Sequence, residues 1–175
     1  MNPAVVIAAA RRTPIGAFQG VLTPVTAPQL GAAAIRGALE ASGLTASDVQ
    51  EVIMGCVLPA GLGQAPARQA ALGAGIAAAV PTTTINKMCG SGLKAIMMAA
   101  DQIRAGEAEV IVAGGLESMS NAPYLLPKAR RGYRLGHQEV LDHMFYDGLQ
   151  NPYDGQMMGF FGDATARRYN FSRAE

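Results

Sequence analysis

Cys89 is the residue whose type and surroundings best suit covalent chemistry. It lies in the segment Asn-Lys-Met-Cys-Gly-Ser-Gly at residues 86–92, between an extended run and a helical pattern. The unpaired N–H groups and the macrodipole of a helix N-terminus favour a thiolate, and the same N–H groups can stabilise an oxyanion. Gly90 and Gly92 leave room for a thioester near the backbone. These residues fit a nucleophile and a buried cysteine at a strand end about equally well.

Few other side chains could act together with Cys89. Cys56, the only other cysteine, lies near the end of a predicted strand, and we expect it in or near the core. His137 and His143 lie in a polar region outside any catalytic motif, so we expect structural or surface roles for them. The two cysteines form no CxxC pair, so no metal site is predicted, although one disulfide remains possible.

Strands and helices alternate over the first 115 residues. An apolar run at 4–10 predicts a strand buried on both faces, and further strands are predicted at 49–58, 82–86 and 110–113. Helices are predicted at 26–43, 65–79 and 89–105. This alternation is typical of an α/β layered domain with a mostly parallel sheet.

Two of the predicted helices show an apolar face. The Ala-rich first helix is expected to bury Leu30, Ala33, Ala34 and Ala38. The helix after Cys89 carries Leu93, Ile96, Met97, Ala100 and Ile103 on one side. We therefore expect both helices to pack through these faces.

The composition of the sequence changes after residue 115, where glycine, proline and charged residues interrupt the strand and helix patterns. We interpret 1–115 as one α/β domain and 116–175 as an excursion from it. A basic cluster in the excursion is consistent with a solvated loop. Its members are Lys128, Arg130, Arg131 and Arg134.

Composition excludes several classes of protein. Half of the 175 residues are hydrophobic and 15% are charged, which indicates a globular chain with a sizeable core. The net charge of +1 gives no reason to expect nucleic acid or a membrane surface as partner. The first residues lack the basic stretch of a signal peptide and the apolar runs are short, so we predict a cytoplasmic protein.

Four segments resemble the thiolase family. Residues 86–95 are similar to its acyl-accepting cysteine segment, and residues 12–20, 63–70 and 113–120 are similar to three further segments in the same order. The resemblance covers essentially all 175 residues. It implies the N-terminal half of the thiolase-like layered α/β/α/β/α fold, with 116–175 as the first part of the loop domain and the C-terminal thiolase domain absent.

The resemblance also implies an activity, a reversible Claisen condensation of two acetyl-CoA to acetoacetyl-CoA through an acyl-cysteine at Cys89. The substrates are acetyl-CoA and acyl-CoA, no cofactor is needed, and a homodimer or homotetramer is expected. By the same resemblance, the basic cluster at 128–134 would lie on a loop that contacts another subunit and attracts anionic coenzyme A. Leu149 matches a residue that lines the acyl pocket, and Met157 and Met158 match a substrate-binding segment. Met157 stands at a pantetheine contact where some members carry His and others Met, and it departs from the short-chain biosynthetic form. Phe160 and Phe161 depart from the usual small or polar residues, so the acyl pocket is expected to differ in size or shape.

The family's remaining catalytic groups belong to its second half: an Asn, a His and an acid/base cysteine. The resemblance therefore implies that this chain alone is inactive and leaves one apolar helix face uncovered. Three hypotheses stay open: an acetyl-CoA acetyltransferase, a 3-ketoacyl-CoA thiolase of broader chain length, and a truncated chain that only self-associates.

Overall fold

A three-stranded parallel sheet organises the first part of the chain. The computed structural model describes residues 4–174, which form two compact units, one ending at Asn121 and the other beginning at Ala122. The sheet of the first unit has the order β2-β1-β3, built from β1 (Glu51–Gly55), β2 (Thr82–Ile85) and β3 (Ile111–Gly115). Its helices are α1 (Ala27–Ser42), α2 (Pro66–Gly73) and α3 (Ser91–Ala105). The predicted α/β class is confirmed.

The central strand β1 is apolar on both faces because helices cover both faces of the sheet. Val52 and Met54 join the core formed with α1 and α2, whereas Ile53 packs on the other face with Ala95 and Ala99 of α3. The chain steps from β1 to β2 through α2 and returns across β1 to β3 through α3. Right-handed crossovers in opposite directions put their helices on opposite faces, which accounts for the layers.

Small residues allow α1 and α2 to lie close together. A Cβ added to Gly31 would stand 3.1 Å from the Cβ of Ala70, and one added to Gly73 would stand 3.1 Å from the Cβ of Ala32. A capping box between Thr26 and Gln29 begins α1. The absence of side chains at Gly31 and Gly73 is therefore what lets the two helices pack at this distance.

The predicted buried face of α1 is wrong by about one position. The residues that it buries are Ala27, Pro28, Gly31, Ala32, Ile35 and Leu39, whereas Ala33 is exposed and Leu30, Ala34 and Ala38 are half-buried. An Ala-rich helix has little hydrophobic asymmetry, so the close approach at Gly31 and the two branched side chains at Ile35 and Leu39 determine its orientation.

The predicted first strand at 4–10 is also wrong for the structure as described. This segment joins no sheet in the described part of the chain, and Val6 and Ile7 are 77% and 74% exposed. An apolar run predicts burial, but a strand forms only when its backbone groups find a partner strand. The three described strands of the sheet pair with one another and not with this segment.

Helix α3 buries its small residues and exposes its large ones. Ala95 and Ala99 face the sheet, while Leu93, Met97 and Ile96 are 66%, 51% and 39% exposed. Residues 93 and 95 lie about 200° apart around a helix of 3.6 residues per turn, so the two sets form opposite faces. The expectation that α3 packs through its predicted apolar stripe is therefore wrong for Leu93, Ile96 and Met97 within residues 4–174, whereas Ala100 and Ile103 of the same stripe are half-buried.

The second unit consists of short elements. Strands β4 (Tyr124–Leu125) and β5 (Leu141–Asp142) pair antiparallel, and β5 leads into a π-helix at Met144–Leu149. The last helix is α4 (Met158–Tyr169). Buried His143 contacts Asp147 through Nδ1 and Oδ2 at 2.5 Å, which ties the first turn of the π-helix together. The assignment of 116–175 to a loop domain stays a prediction.

Candidate active site

Cys89 lies in a tight turn between the end of β2 and the start of α3. Met88 has a left-handed backbone with φ of 49°, which is unusual for a residue with a side chain. Its N–H donates to Oδ1 of Asn86 at 2.9 Å, and its carbonyl accepts the N–H of Ser91 at 3.0 Å. Since left-handed residues of this kind persist only where their surroundings hold them, these hydrogen bonds fix the turn that presents Cys89.

The buried side chain of Ser91 stabilises the same turn through two hydrogen bonds. Its side chain is 4% exposed, and its Oγ donates to the carbonyl of Met88 at 2.6 Å and accepts the N–H of Lys87 at 2.8 Å. The Cys89 thiol, in contrast, is free and exposed. The turn therefore buries its hydroxyl and presents its thiol.

Glycine backbones bring the first turn of α3 directly against the ends of β1 and β3. A Cβ added to Gly55 would stand 2.4 Å from the Cβ of Ser91, and one added to Gly92 would stand 3.6 Å from backbone atoms of Gly114. Carboxyl ends of parallel strands and helix N-termini gather at one edge of such a sheet. Cys89 lies at that edge.

An open depression of about 320 Å³ surrounds the thiol. Its walls include Gly55, Val57, Cys89, Gly92, Leu116 and Glu117. The N–H groups of Cys89 and Gly92 have no hydrogen-bond acceptor among the described residues. A backbone N–H without an acceptor can stabilise a negatively charged oxygen on a bound carbonyl, and acyl transfer develops such a charge.

Glu117 is a pocket residue to which sequence reasoning gave no role. Its carboxylate accepts the N–H of Val57 at 2.8 Å and the N–H of Leu58 at 3.0 Å. The thiol of Cys56 lies 3.6 Å from its Oε1. Two sequence signals pointed to it: its position just after the Gly114–Gly115 end of a strand, where functional side chains of α/β sheets gather, and its place in 113–120, one of the four segments that carry the family resemblance.

Cys56 is buried as expected, at 2% exposure. Burial, followed by the charge of Glu117 and its hydrogen bond, raises the pKa of the thiol from its ordinary value of 9.0 to about 12. Both Cys56 and Cys89 are free, so the possible disulfide does not form in this structure.

The raised pKa of Cys56 predicts a pH dependence of stability. Above pH 9.0 the unfolded chain loses a proton that the folded chain keeps until about pH 12, so the free energy of unfolding falls across this interval. Urea unfolding at several pH values should show the decline, with a shallower slope in Cys56→Ala. Equal slopes in the two proteins would show that this thiol does not contribute.

The three predicted substrate-binding residues lie in the second unit. Leu149 ends the π-helix and is half-buried, Met157 is the half-buried N-cap of α4, and Met158 is 41% exposed. A β-bridge between Gln150 and Met157 brings the neighbourhoods of Leu149 and Met157 together. Their roles in substrate binding stay predictions.

Other candidate groups offer no second centre in residues 4–174. His137 is exposed, His143 is paired with Asp147, and the basic cluster is exposed throughout. The described residues contain no group of three or more His, Cys, Asp or Glu side chains that could hold a metal ion. None of the described helices is long and apolar enough to cross a membrane.

Comparison with known proteins identifies the family. The family model "Thiolase, N-terminal domain" matches residues 5–175. The chain is 54% identical over 171 residues to an acetyl-CoA acetyltransferase of Pseudomonas aeruginosa, covering 98% of this chain and 44% of the relative. It is 52% identical to the enzyme of that name from Cupriavidus necator, with 97% and 43% covered, and 50% identical to acetyl-CoA acetyltransferase A, mitochondrial, of Xenopus laevis, with 98% and 40% covered. The chain thus spans less than half the length of these relatives.

Proposed function

Since the chain belongs to the thiolase family, we propose that it is the acyl-accepting part of an acetyl-CoA acetyltransferase. The thiolate of Cys89 attacks the carbonyl carbon of acetyl-CoA, a new C–S bond forms, and the thiolate of coenzyme A leaves. The enolate of a second acetyl-CoA, formed by loss of an α-proton, then attacks the acyl-cysteine. This step gives acetoacetyl-CoA and returns the Cys89 thiolate.

The observation that carries this proposal is the exposed Cys89 thiol in a rigid turn beside free backbone N–H groups. The hydrogen bonds of Asn86, Met88 and Ser91 hold the turn before any substrate arrives. A preorganised turn spares the reaction the free energy of ordering the nucleophile. The N–H of Cys89 would supply part of an oxyanion hole.

The remaining groups of the reaction are proposed to lie outside this chain. Deprotonation of Cys89 and of the second acetyl-CoA needs bases, and the sequence expectation assigns them to the part of the family absent here. We therefore expect little or no turnover from residues 1–175 alone. The exposed apolar face of α3 would be covered by that other part, or by a second copy of this chain.

Substrate binding is proposed for the second unit. Leu149 would line the acyl pocket, and Met157 and Met158 would contact the pantetheine chain of coenzyme A. The presence of Met157 in place of the His of some thiolases favours a second candidate, a 3-ketoacyl-CoA thiolase of broader chain length. We also propose that the protein is cytoplasmic and forms a homodimer or homotetramer. The Xenopus relative differs in location, since its name describes it as mitochondrial.

The test is covalent labelling of the chain by acyl-CoA. We expect acetyl-CoA to place an acetyl group on Cys89 slowly, since only the thiolate fraction reacts and the base is proposed to lie outside this chain. Intact-protein and peptide mass spectrometry should detect the adduct, without release of acetoacetyl-CoA. Cys89→Ala should remove the adduct and Cys56→Ala, the matched control, should retain it. Competition between acetyl-CoA and longer acyl-CoA distinguishes the two candidates.

Two results would count against the proposal. Rapid stoichiometric labelling followed by normal condensation would show that residues 1–175 already contain every group that the reaction needs. A chain that shows concentration-dependent association in sedimentation experiments but never becomes acylated would favour the purely associating alternative.

A further inference from the structure

We propose that Glu117 is a positioning residue of the Cys89 pocket: its carboxylate holds the chain after β1 in place as the pocket wall beside the thiol. This inference rests on the proposed function only in taking the depression around Cys89 as the acyl site. Glu117 does not need to touch the substrate, because it acts through the backbone of Val57 and Leu58.

The first step is the way in which the sheet ends. Gly55 and Gly115 are the last paired residues of β1 and β3, and the N–H of Leu116 donates to the carbonyl of Gly55 at 2.9 Å. Beyond this point the described backbones of these two strands form no further mutual pair. There the side chain of Glu117 replaces backbone pairing between the strands: its Oε2 accepts the N–H of Val57 and its Oε1 accepts the N–H of Leu58.

The second step is the position of the segment that is held. Val57 lines the same depression as Cys89, and Glu117 lines it as well. The neighbours of Val57 along the chain, Cys56 and Leu58, are buried at 2% and 5% exposure. The pocket wall is therefore anchored by two buried side chains and by one carboxylate that accepts its N–H groups.

The third step concerns Cys56, whose thiol points to the same carboxylate at 3.6 Å from Oε1. Its raised pKa keeps the thiol protonated, so it remains a donor. Donors from three consecutive residues thus converge on one carboxylate. Hydrogen bonds to a charged acceptor are stronger than those between neutral groups, so this cluster is suited to hold a wall rigidly.

The experiment uses the chain itself and contains no coenzyme A. Glu117→Gln and Glu117→Ala are compared with the exposed control Glu107→Gln. The first readout is hydrogen exchange of the Val57 and Leu58 amides by NMR, with the Ile53 amide in β1 as reference for global opening. The second is the ratio of Cys89 alkylation rates with N-ethylmaleimide and iodoacetamide, two reagents of different size.

We expect Glu117→Ala to speed exchange at Val57 and Leu58 by about tenfold or more relative to Ile53. Glu117→Gln should show a smaller effect because its one oxygen can still accept. The alkylation ratio at Cys89 should change severalfold in Glu117→Ala, less in Glu117→Gln, and not in Glu107→Gln. This graded pattern would support the positioning role.

Equal acceleration at Ile53, Val57 and Leu58 would show a purely structural residue and overturn the inference. An unchanged alkylation ratio in Glu117→Ala would overturn it as well. Because no acyl-CoA is used, failure of the acetyl-labelling test leaves these readouts intact, and the two proposals fail separately.

Discussion

Gly55→Ala is expected to destabilise the fold by about 3 kcal/mol and to displace the turn that carries Cys89. The added Cβ would lie 2.4 Å from the Cβ of Ser91 and 2.7 Å from its carbonyl carbon. These atoms belong to the first turn of a helix, so relief requires the helix itself to shift. Urea denaturation should show the loss, and iodoacetamide labelling should show an altered rate at Cys89.

Gly159→Ala is the matched control for this substitution. Gly159 lies in α4, and a Cβ added there would meet nothing within 4 Å. Replacing a helical glycine with alanine at an open position is expected to stabilise by about 0.4–1 kcal/mol. A Gly55→Ala protein as stable as Gly159→Ala would contradict the close approach of α3 to β1.

Ile53→Ala is expected to lower the free energy of unfolding by about 2–5 kcal/mol. Ile53 is fully buried in the central strand and fills the space between the sheet and Ala95 and Ala99 of α3. Ala95 and Ala99 are too small to extend into the cavity, and the neighbouring Ile85, Met98 and Ile111 can fill it only by shifting from their present packing. Chemical denaturation measures the loss.

Two companion substitutions calibrate this result. Ile53→Val should cost only about 0.5–1.5 kcal/mol. Ile7→Ala should change stability little, because Ile7 is 74% exposed. A large effect from Ile7→Ala in this chain would indicate that the segment at 4–10 packs in solution in a way that residues 4–174 do not show.

The sequence predicted the sheet well where strand and helix alternate within a short stretch of chain. The strands containing Thr83 and Val112 and the helix between them were found close to their predicted limits. The strand containing Ile53 is shorter than the predicted 49–58, and α2 ends at Gly73 rather than at the predicted residue 79. The segment at 4–10 was predicted wrongly because hydrophobicity carries no information about the partner strand. The face of α1 was missed because alanine contributes nearly the same burial on every side.

The candidate site was predictable only in part for a similar reason. Cys89 was found because its neighbours in the sequence also surround it in space. Glu117 lies in the family-like segment 113–120 but received no role of its own, because its partners, Val57 and Leu58, lie about sixty positions away and no local pattern joins them to it. A carboxylate that directly follows a strand at the carboxyl edge of a parallel sheet, as Glu117 does, is therefore a candidate site residue even when its partners are distant in sequence.

The turn at Cys89 also has a consequence for the order of folding. The bonds that Ser91 makes within it span only three or four residues, so they close at small entropic cost and can form early. The Glu117 contacts close loops of 59 and 60 residues and must wait for β1 and β3 to meet. A newly made chain would therefore carry an ordered, exposed thiol before the wall that shapes its pocket exists.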